Sequence, residues 1–184
     1  MKIERVCALY FSATGTTEKL ACCIARELAR ALQAREEEYD FTLPGARQAV
    51  QTYGTGDLVL AAVPVYAGRV PNVLRPYLEK NICGSGALAI PLVVYGNRNF
   101  DDALIELRDL LEEHGLRTVA GAAFIGEHSF SRILAAHRPD ENDMALAVEF
   151  ARKVAEKIAA LQEPPAQPVA VRGETPIRPY YTPR

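Results

Sequence analysis

The sequence predicts an α/β fold, a doubly wound sheet of five parallel strands with helices on both faces. Three observations predict it. Strand-length apolar runs recur at residues 6–11, 58–65, 88–95 and 119–125 with little polar alternation, the pattern of strands covered on both faces. Stretches of helical period lie between them, and alternation of strand with helix specifies right-handed crossovers in a parallel sheet. The composition, 49% hydrophobic and 24% charged over 184 residues, can bury the core of one domain, which commonly takes about 100–200 residues.

Each element follows in chain order. After the first strand, Leu20, Ile24, Leu28 and Leu32 step by four and make one apolar stripe on a long helix. Residues 38–43 are a weaker segment that suits an edge strand. The third strand, 58–65, leads into the short segment 71–80. There Pro76 would remove a helical hydrogen bond, so the helix is kinked or begins late. Pro91 raises a similar conflict in the fourth strand, because a central strand cannot spare its donor, and regular pairing is expected only from Leu92. Leu104, Leu107 and Leu111 mark the next helix, and Ala147, Phe150, Val154, Ile158 and Leu161 the last. The domain is thus expected over residues 1–161. Residues 162–184, EPPAQPVAVRGETPIRPYYTPR preceded by Gln162, are rich in proline, lack a period and read as a tail or linker. No internal repeat is visible.

Charge and cysteines remove several functions. A net charge of -2 comes from 21 basic and 23 acidic residues scattered along the chain, so no single-sign field exists to attract nucleic acid or a membrane surface. No run approaches membrane-spanning length and the charged start is unlike a signal peptide, so the chain reads as cytoplasmic. Cys7, Cys22, Cys23 and Cys83 form neither a CxxC nor a CxH spacing, and no zinc or iron–sulfur site is encoded.

In a doubly wound sheet, ligands bind beyond the carboxyl ends of the strands where the crossover direction reverses. The first such loop, SATGTT at residues 12–17, gathers the hydroxyls of Ser12, Thr14, Thr16 and Thr17 around Gly15 at the start of the longest amphipathic helix. Free amides and the positive end of the helix dipole favour an anion there, and the hydroxyls add donors. No lysine follows Gly15 before Lys19 and only one glycine is present, so neither a GxxxxGK[ST] loop nor a GxGxxG dinucleotide turn is formed. Helix capping accounts for one hydroxyl but not for four.

This string resembles the phosphate loop of the flavodoxins, and the resemblance implies that Ser12, Thr14, Gly15, Thr16 and Thr17 hold the 5′-phosphate of FMN. It also implies the flavodoxin-like strand order 2-1-3-4-5. The loop after the third strand carries Pro64, Val65, Tyr66, Ala67 and Gly68, an aromatic followed by small residues that can stack on a flat ring and approach its edge. By resemblance, the peptide between Ala67 and Gly68 meets the flavin. The loop after the fourth strand carries Tyr95, Gly96, Asn97, Asn99 and Phe100. Asn99 can cap the next helix and Asp101 and Asp102 can complement its dipole, while the remaining residues resemble the second flavin loop of the family. The strings YGNRNFDDAL, PVYAGRVP and FIGEHSFSR look most like the flavodoxin half of flavodoxin–ferredoxin fusion proteins, over about residues 1–161. The cysteine-rich cluster motifs of those fusions do not occur in this sequence, so electron delivery to an internal cluster is not expected of it, and the Pro-rich segment would suit a linker to a second domain.

The reading that follows is an FMN-binding, flavodoxin-like electron-transfer protein, with a redox protein, including one of ferredoxin type, or a small molecule as partner. Two alternatives stand beside it: an FMN-dependent NAD(P)H or quinone reductase, and a cofactor-free binding domain on the same fold. Arg69 and Arg98 are the cations closest in sequence to the ring loops. A guanidinium beside flavin N1 would raise a potential that aromatic cover and low dielectric otherwise lower. His128, after the fifth strand, lies on the same rim and is either a donor to a bound molecule or a solvated loop residue.

Overall fold

In the computed structural model, which describes residues 1–131 and 133–180, strands and helices alternate as the periodicity requires. The order is β1 (Arg5–Tyr10), α1 (Thr16–Leu32), β2 (Arg35–Asp40), β3 (Gln51–Tyr53), β4 (Asp57–Pro64), α2 (Arg75–Asn81), β5 (Ile82–Gly84), β6 (Leu88–Tyr95), α3 (Ala103–Glu113), β7 (Arg117–Thr118), β8 (Ala122–Ile125) and α4 (Glu141–Ala160). The main sheet is parallel in the order β2-β1-β4-β6, with β7 and β8 both along the outer edge of β6. Counting β7 and β8 as one interrupted strand, and setting aside the short β3–β5 pair, this is the expected 2-1-3-4-5 order.

Alternate side chains of each central strand go to opposite faces. Val6, Ala8 and Tyr10 of β1 and Leu58, Leu60 and Ala62 of β4 join α1 and α4 in one core, whereas Cys7 and Leu9, with Val59, Ala61 and Val63, join α2 and α3 in the other. Both faces being covered is why these strands read as near-continuous apolar runs. Helix α4 opens on a capping box in which the Asp140 carboxylate accepts from the Asp143 amide and the Asp143 carboxylate accepts from the Asp140 amide.

The expected bounds of the edge strand are corrected, whereas the short helix begins late as expected. The edge strand is residues 35–40 rather than 38–43; it lies parallel to β1, with Arg5 opposite Arg35. Its charged side chains suit an edge, and Arg5 reaches Glu37 on one side and Asp57 on the other at 3.0 and 2.7 Å. Helix α2 begins at Arg75, which puts Pro76 in its first turn where no intrahelical donor is needed. A two-stranded parallel pair, β3 with β5, stands apart from the main sheet.

The fourth strand does not wait for Leu92. β6 runs through Pro91 from Leu88 to Tyr95. The fifth strand is the one that breaks: Ala89 pairs with Thr118 and Leu92 with Ala122, three residue steps on β6 against four on its neighbour. The carbonyls of Ala89 and Tyr95 accept from Val119 and Gly126 on that side, while the Val94 carbonyl accepts from Val65 on the other. Odd-numbered residues of β6 therefore face the fifth strand, and the missing donor of Pro91 falls at the interruption, where it breaks no ladder bond.

Residues 162–180 contain neither helix nor strand, yet they return across the body. The Val169 amide donates to Thr118 Oγ1 at 3.0 Å and its carbonyl accepts from Arg108 at 3.1 Å. Tyr181, Thr182, Pro183 and Arg184 of the Pro-rich segment, and Arg132 of FIGEHSFSR, lie outside the described residues. Among the described residues no helix is long and apolar enough to cross a membrane.

Candidate functional site

The carboxyl ends of β1, β4, β6 and β8 open into one cleft of about 640 Å³. Its first wall is the loop after β1, contributing Thr14, Thr16 and Thr17. Ser12 supports this loop rather than lining the cleft. Its Oγ accepts the Glu18 amide at 3.0 Å and its own amide donates to Thr42 Oγ1 at 2.8 Å. Gly15 is the left-handed residue preceding α1, with φ 80°, and the Thr14 and Thr16 hydroxyls stand 3.3 Å apart. Among the described residues, no hydrogen bond uses the amides of Thr14, Gly15, Thr16 or Thr17. These amides stand at the positive end of a 17-residue helix, and Thr14, Thr16 and Thr17 line a cleft whose described lining holds no lysine, while Gly15 is not among the lining residues. Lys19 donates instead to the Pro139 carbonyl at 3.0 Å.

The second wall is Pro64, Val65, Tyr66 and Ala67. Residues 66–69 close a two-residue turn in which the amides of Tyr66 and Arg69 each donate to the other's carbonyl at 3.0 Å. Both central residues have positive φ, Ala67 at 50° and Gly68 at 78°, as a type I′ turn requires. Gly68 lies behind the cleft, where a Cβ would stand 2.4 Å from Asp101 Oδ2, so the position admits only glycine on both counts. Tyr66 is 44% exposed and free to cover a ligand.

Tyr95, Gly96 and Arg98 form the third wall. Asn97, Asn99 and Phe100 are not brought into the cleft. Asn97 takes a left-handed conformation, with φ 58°. Asn99 does not cap α3, whose N-cap is Asp102; its amide instead donates to Asp101 Oδ1 at 2.8 Å. Phe100 meets Tyr95 edge-on, with ring centroids 5.3 Å apart, and so supports that wall from behind.

A fourth wall is made of residues that the resemblance does not imply: Gly126, Glu127, His128, Ser129 and Phe130, with Val94. Its place after the fifth strand puts His128 on this rim, and the fold shows how it is held. Its Nδ1 accepts the Phe130 amide at 3.1 Å, which leaves the proton of the neutral ring on Nε2. A Cβ on Gly96 would lie 2.7 Å from the His128 ring, so glycine there lets the imidazole rest on the loop after β6.

The two candidate cations separate. Arg98 lines the cleft, whereas Arg69 is buried and turned away, paired with Glu106 through Nε and Nη2 at 2.7 Å each. The thiols take no part. Burial pushes Cys22 up to about 12, and burial likewise raises Cys7 and Cys23. Among the described residues, no three His, Cys, Asp or Glu side chains are grouped to hold a metal ion.

Among the described residues, the cleft has amides and hydroxyls at one end, aromatic side chains beside them and one arginine, Arg98. No protein-family model matches the sequence, and no curated protein matches it. Solved structures do. An archaeal flavodoxin shares 12% identity over 84% of this chain and 99% of its own, with a TM-score of 0.60. Oxidised flavodoxin 2 from Bacillus cereus shares 20% over 84% and 99%, with a TM-score of 0.58. An NADH:FMN oxidoreductase in its apo form shares 17% over 88% and 92%, with a TM-score of 0.60. The fold is therefore flavodoxin-like.

Proposed function

We propose that this protein binds FMN in the cleft and transfers electrons through it. The observation that carries the reading is the set of uncommitted amides at Thr14, Gly15, Thr16 and Thr17, ringed by hydroxyls at the N-terminus of α1. A phosphate monoester fits that donor set without a counter-cation. A volume of about 640 Å³ is also within the usual span of small-molecule sites, about 300–1,000 Å³.

In this reading Ser12, Thr14, Gly15, Thr16 and Thr17 bind and orient the phosphate, Ser12 through its hold on the Glu18 amide. Pro64, Val65, Tyr66, Ala67 and Gly68 form the loop on one side of the ring, with Tyr66 as its aromatic cover. Tyr95 and Gly96, with Asn97, Asn99 and Phe100 behind them, form the other. FMN would supply reversible electron transfer. The chain's own contribution is orientation, exclusion of water by the aromatic walls, and a proton held on His128 Nε2 at the open side. The resemblance of YGNRNFDDAL and FIGEHSFSR to flavodoxin–ferredoxin fusions favours a ferredoxin-type partner.

A reductase acting on a small acceptor is favoured by one observation, the wall from Glu127 to Phe130, which leaves His128 accessible beside the ring loops and Phe130 almost wholly exposed at the mouth. Titration of the cofactor-free protein decides the main reading. FMN should bind at micromolar concentration, colour the protein yellow and lose its fluorescence; a protein that leaves FMN free overturns the reading. Rapid mixing with NAD(P)H then separates a reductase, which takes up two electrons directly, from a carrier, which does not react.

A further inference from the structure

The segment that reads as a linker is built into the back of the site. Three body side chains are buried behind the ring loops: Arg69, Asp102 and Glu106. The Asp102 carboxylate, 1% exposed, draws its hydrogen bonds from the C-terminal segment: the Glu174 amide at 3.0 Å, the Arg178 amide at 3.3 Å and Arg178 Nε at 3.1 Å. Burial by itself would raise that carboxyl, but these donors outweigh it and hold its pKa below the ordinary aspartate value.

Tyr180 completes the contact. Its hydroxyl donates to the Val70 carbonyl at 3.0 Å and stands 3.1 Å from Glu106 Oε1, while its ring lies 4.1 Å under the Arg69 guanidinium. Arg69 also donates to the Arg178 carbonyl. Arg172 sits over Phe100 at 5.2 Å, the ring that backs Tyr95. The chain passes α3 so closely that a Cβ on Gly173 would lie 2.2 Å from Ile105, and Gly173 has φ 150°.

Residues 66–70 and 95–102 belong to different loops of the cleft. They are tied to each other directly by the Asp102 amide, which donates to the Gly68 carbonyl at 3.0 Å. The C-terminal segment grips both from behind, one through Arg69 and Val70 and the other through Asp101 and Asp102. We propose that residues 169–180 are a strap that positions the two ring-side loops, so that Arg178 and Tyr180 act as positioning residues for the flavin ring while leaving the phosphate loop alone. The flavin part of this inference rests on the FMN reading; the strap itself does not.

The experiment uses the full chain carrying Arg178→Ala with Tyr180→Ala. In the cofactor-free protein, amide hydrogen exchange should quicken by about tenfold at Arg69, Val70 and Asp102, whose amides are bonded to Tyr66, Glu106 and Gly68, and stay unchanged at Lys19 in α1. In the same variant, the dissociation constants of FMN and of riboflavin should rise by one shared factor of about ten. Tyr180→Phe, which keeps the ring on Arg69, should recover part of both. Unchanged exchange at those three amides overturns the strap, and an affinity loss confined to FMN overturns its positioning of the ring. If the double variant fails to fold, Tyr180→Phe alone must still quicken exchange at Val70, and its failure to do so overturns the proposal. Wild-type protein that binds no flavin removes the FMN reading, and the exchange measurement still decides whether the strap holds the loops.

Discussion

Arg69 and Glu106 meet in a two-pronged pair, Nε to Oε2 and Nη2 to Oε1 at 2.7 Å each, with both side chains withdrawn from solvent. Glu106 also accepts the Val70 amide at 3.0 Å and Arg75 at 3.2 Å. The pair consumes the cation nearest to the first ring loop and anchors that loop to α3. Glu106→Ala leaves a buried guanidinium without its partner and should cost about 3–5 kcal/mol, read from denaturant unfolding. Replacing both residues by Met and Leu should recover most of that loss, because no uncompensated charge remains.

At the phosphate end, Thr14→Ala combined with Thr16→Ala deletes two hydroxyls while leaving the loop amides in place. Each hydrogen bond is worth about 1 kcal/mol, so FMN affinity should fall by about tenfold or more. Riboflavin, which lacks the phosphate, should bind as before; equal losses for the two ligands contradict the assignment of this loop.

The turn at residues 66–69 holds a left-handed alanine, a conformation costly for any residue with a Cβ. Ala67→Gly should therefore stabilise the protein by up to about 1 kcal/mol, the relief of strain exceeding the added freedom of the unfolded chain. Gly68→Ala should do the reverse by about 1–3 kcal/mol, because the new methyl meets Asp101 as well as an unfavourable φ. Thermal unfolding of the two variants checks both signs.

Acid should loosen the strap's hold on Asp102. Asp102 has its folded pKa below the ordinary value of 3.8, so its stabilising contribution is complete above that value and disappears as pH falls through the lower, folded one. Asp57 and Asp143 are depressed in the same direction, each chiefly by the arginine it pairs with, Arg5 and Arg138. Asp102→Asn should flatten part of the loss of stability below about pH 4, measured as the urea midpoint against pH. A profile identical to wild type would show that the depressed carboxyl is not Asp102.

Much of the architecture is legible in the chain itself. The apolar runs of β1, β4 and β6 and the four-residue steps of Leu20, Ile24 and Leu28 are local patterns, and each element reports its own burial through them. The charge-rich β2 reports nothing of that kind, which is why its bounds shifted by three residues. Pro91 misled for a related reason, since whether a proline is tolerated in a strand depends on the neighbour it faces, here an interrupted one.

The site divides in the same way. SATGTT stands out because hydroxyls, a glycine and a helix start are adjacent in sequence, and adjacency there is also adjacency in space. The sequence alone determined the layered sheet, that row of hydroxyls at a helix start and the three loops that line the cleft. Only the tertiary structure decided that Arg69 belongs to Glu106, 37 residues away, that His128 closes a fourth wall, and that Tyr180 returns to Val70 across 110 residues. Short-range periodicity records how much of a residue is buried. It carries no record of which distant partner buries it, and the pairing of charges depends on that partner.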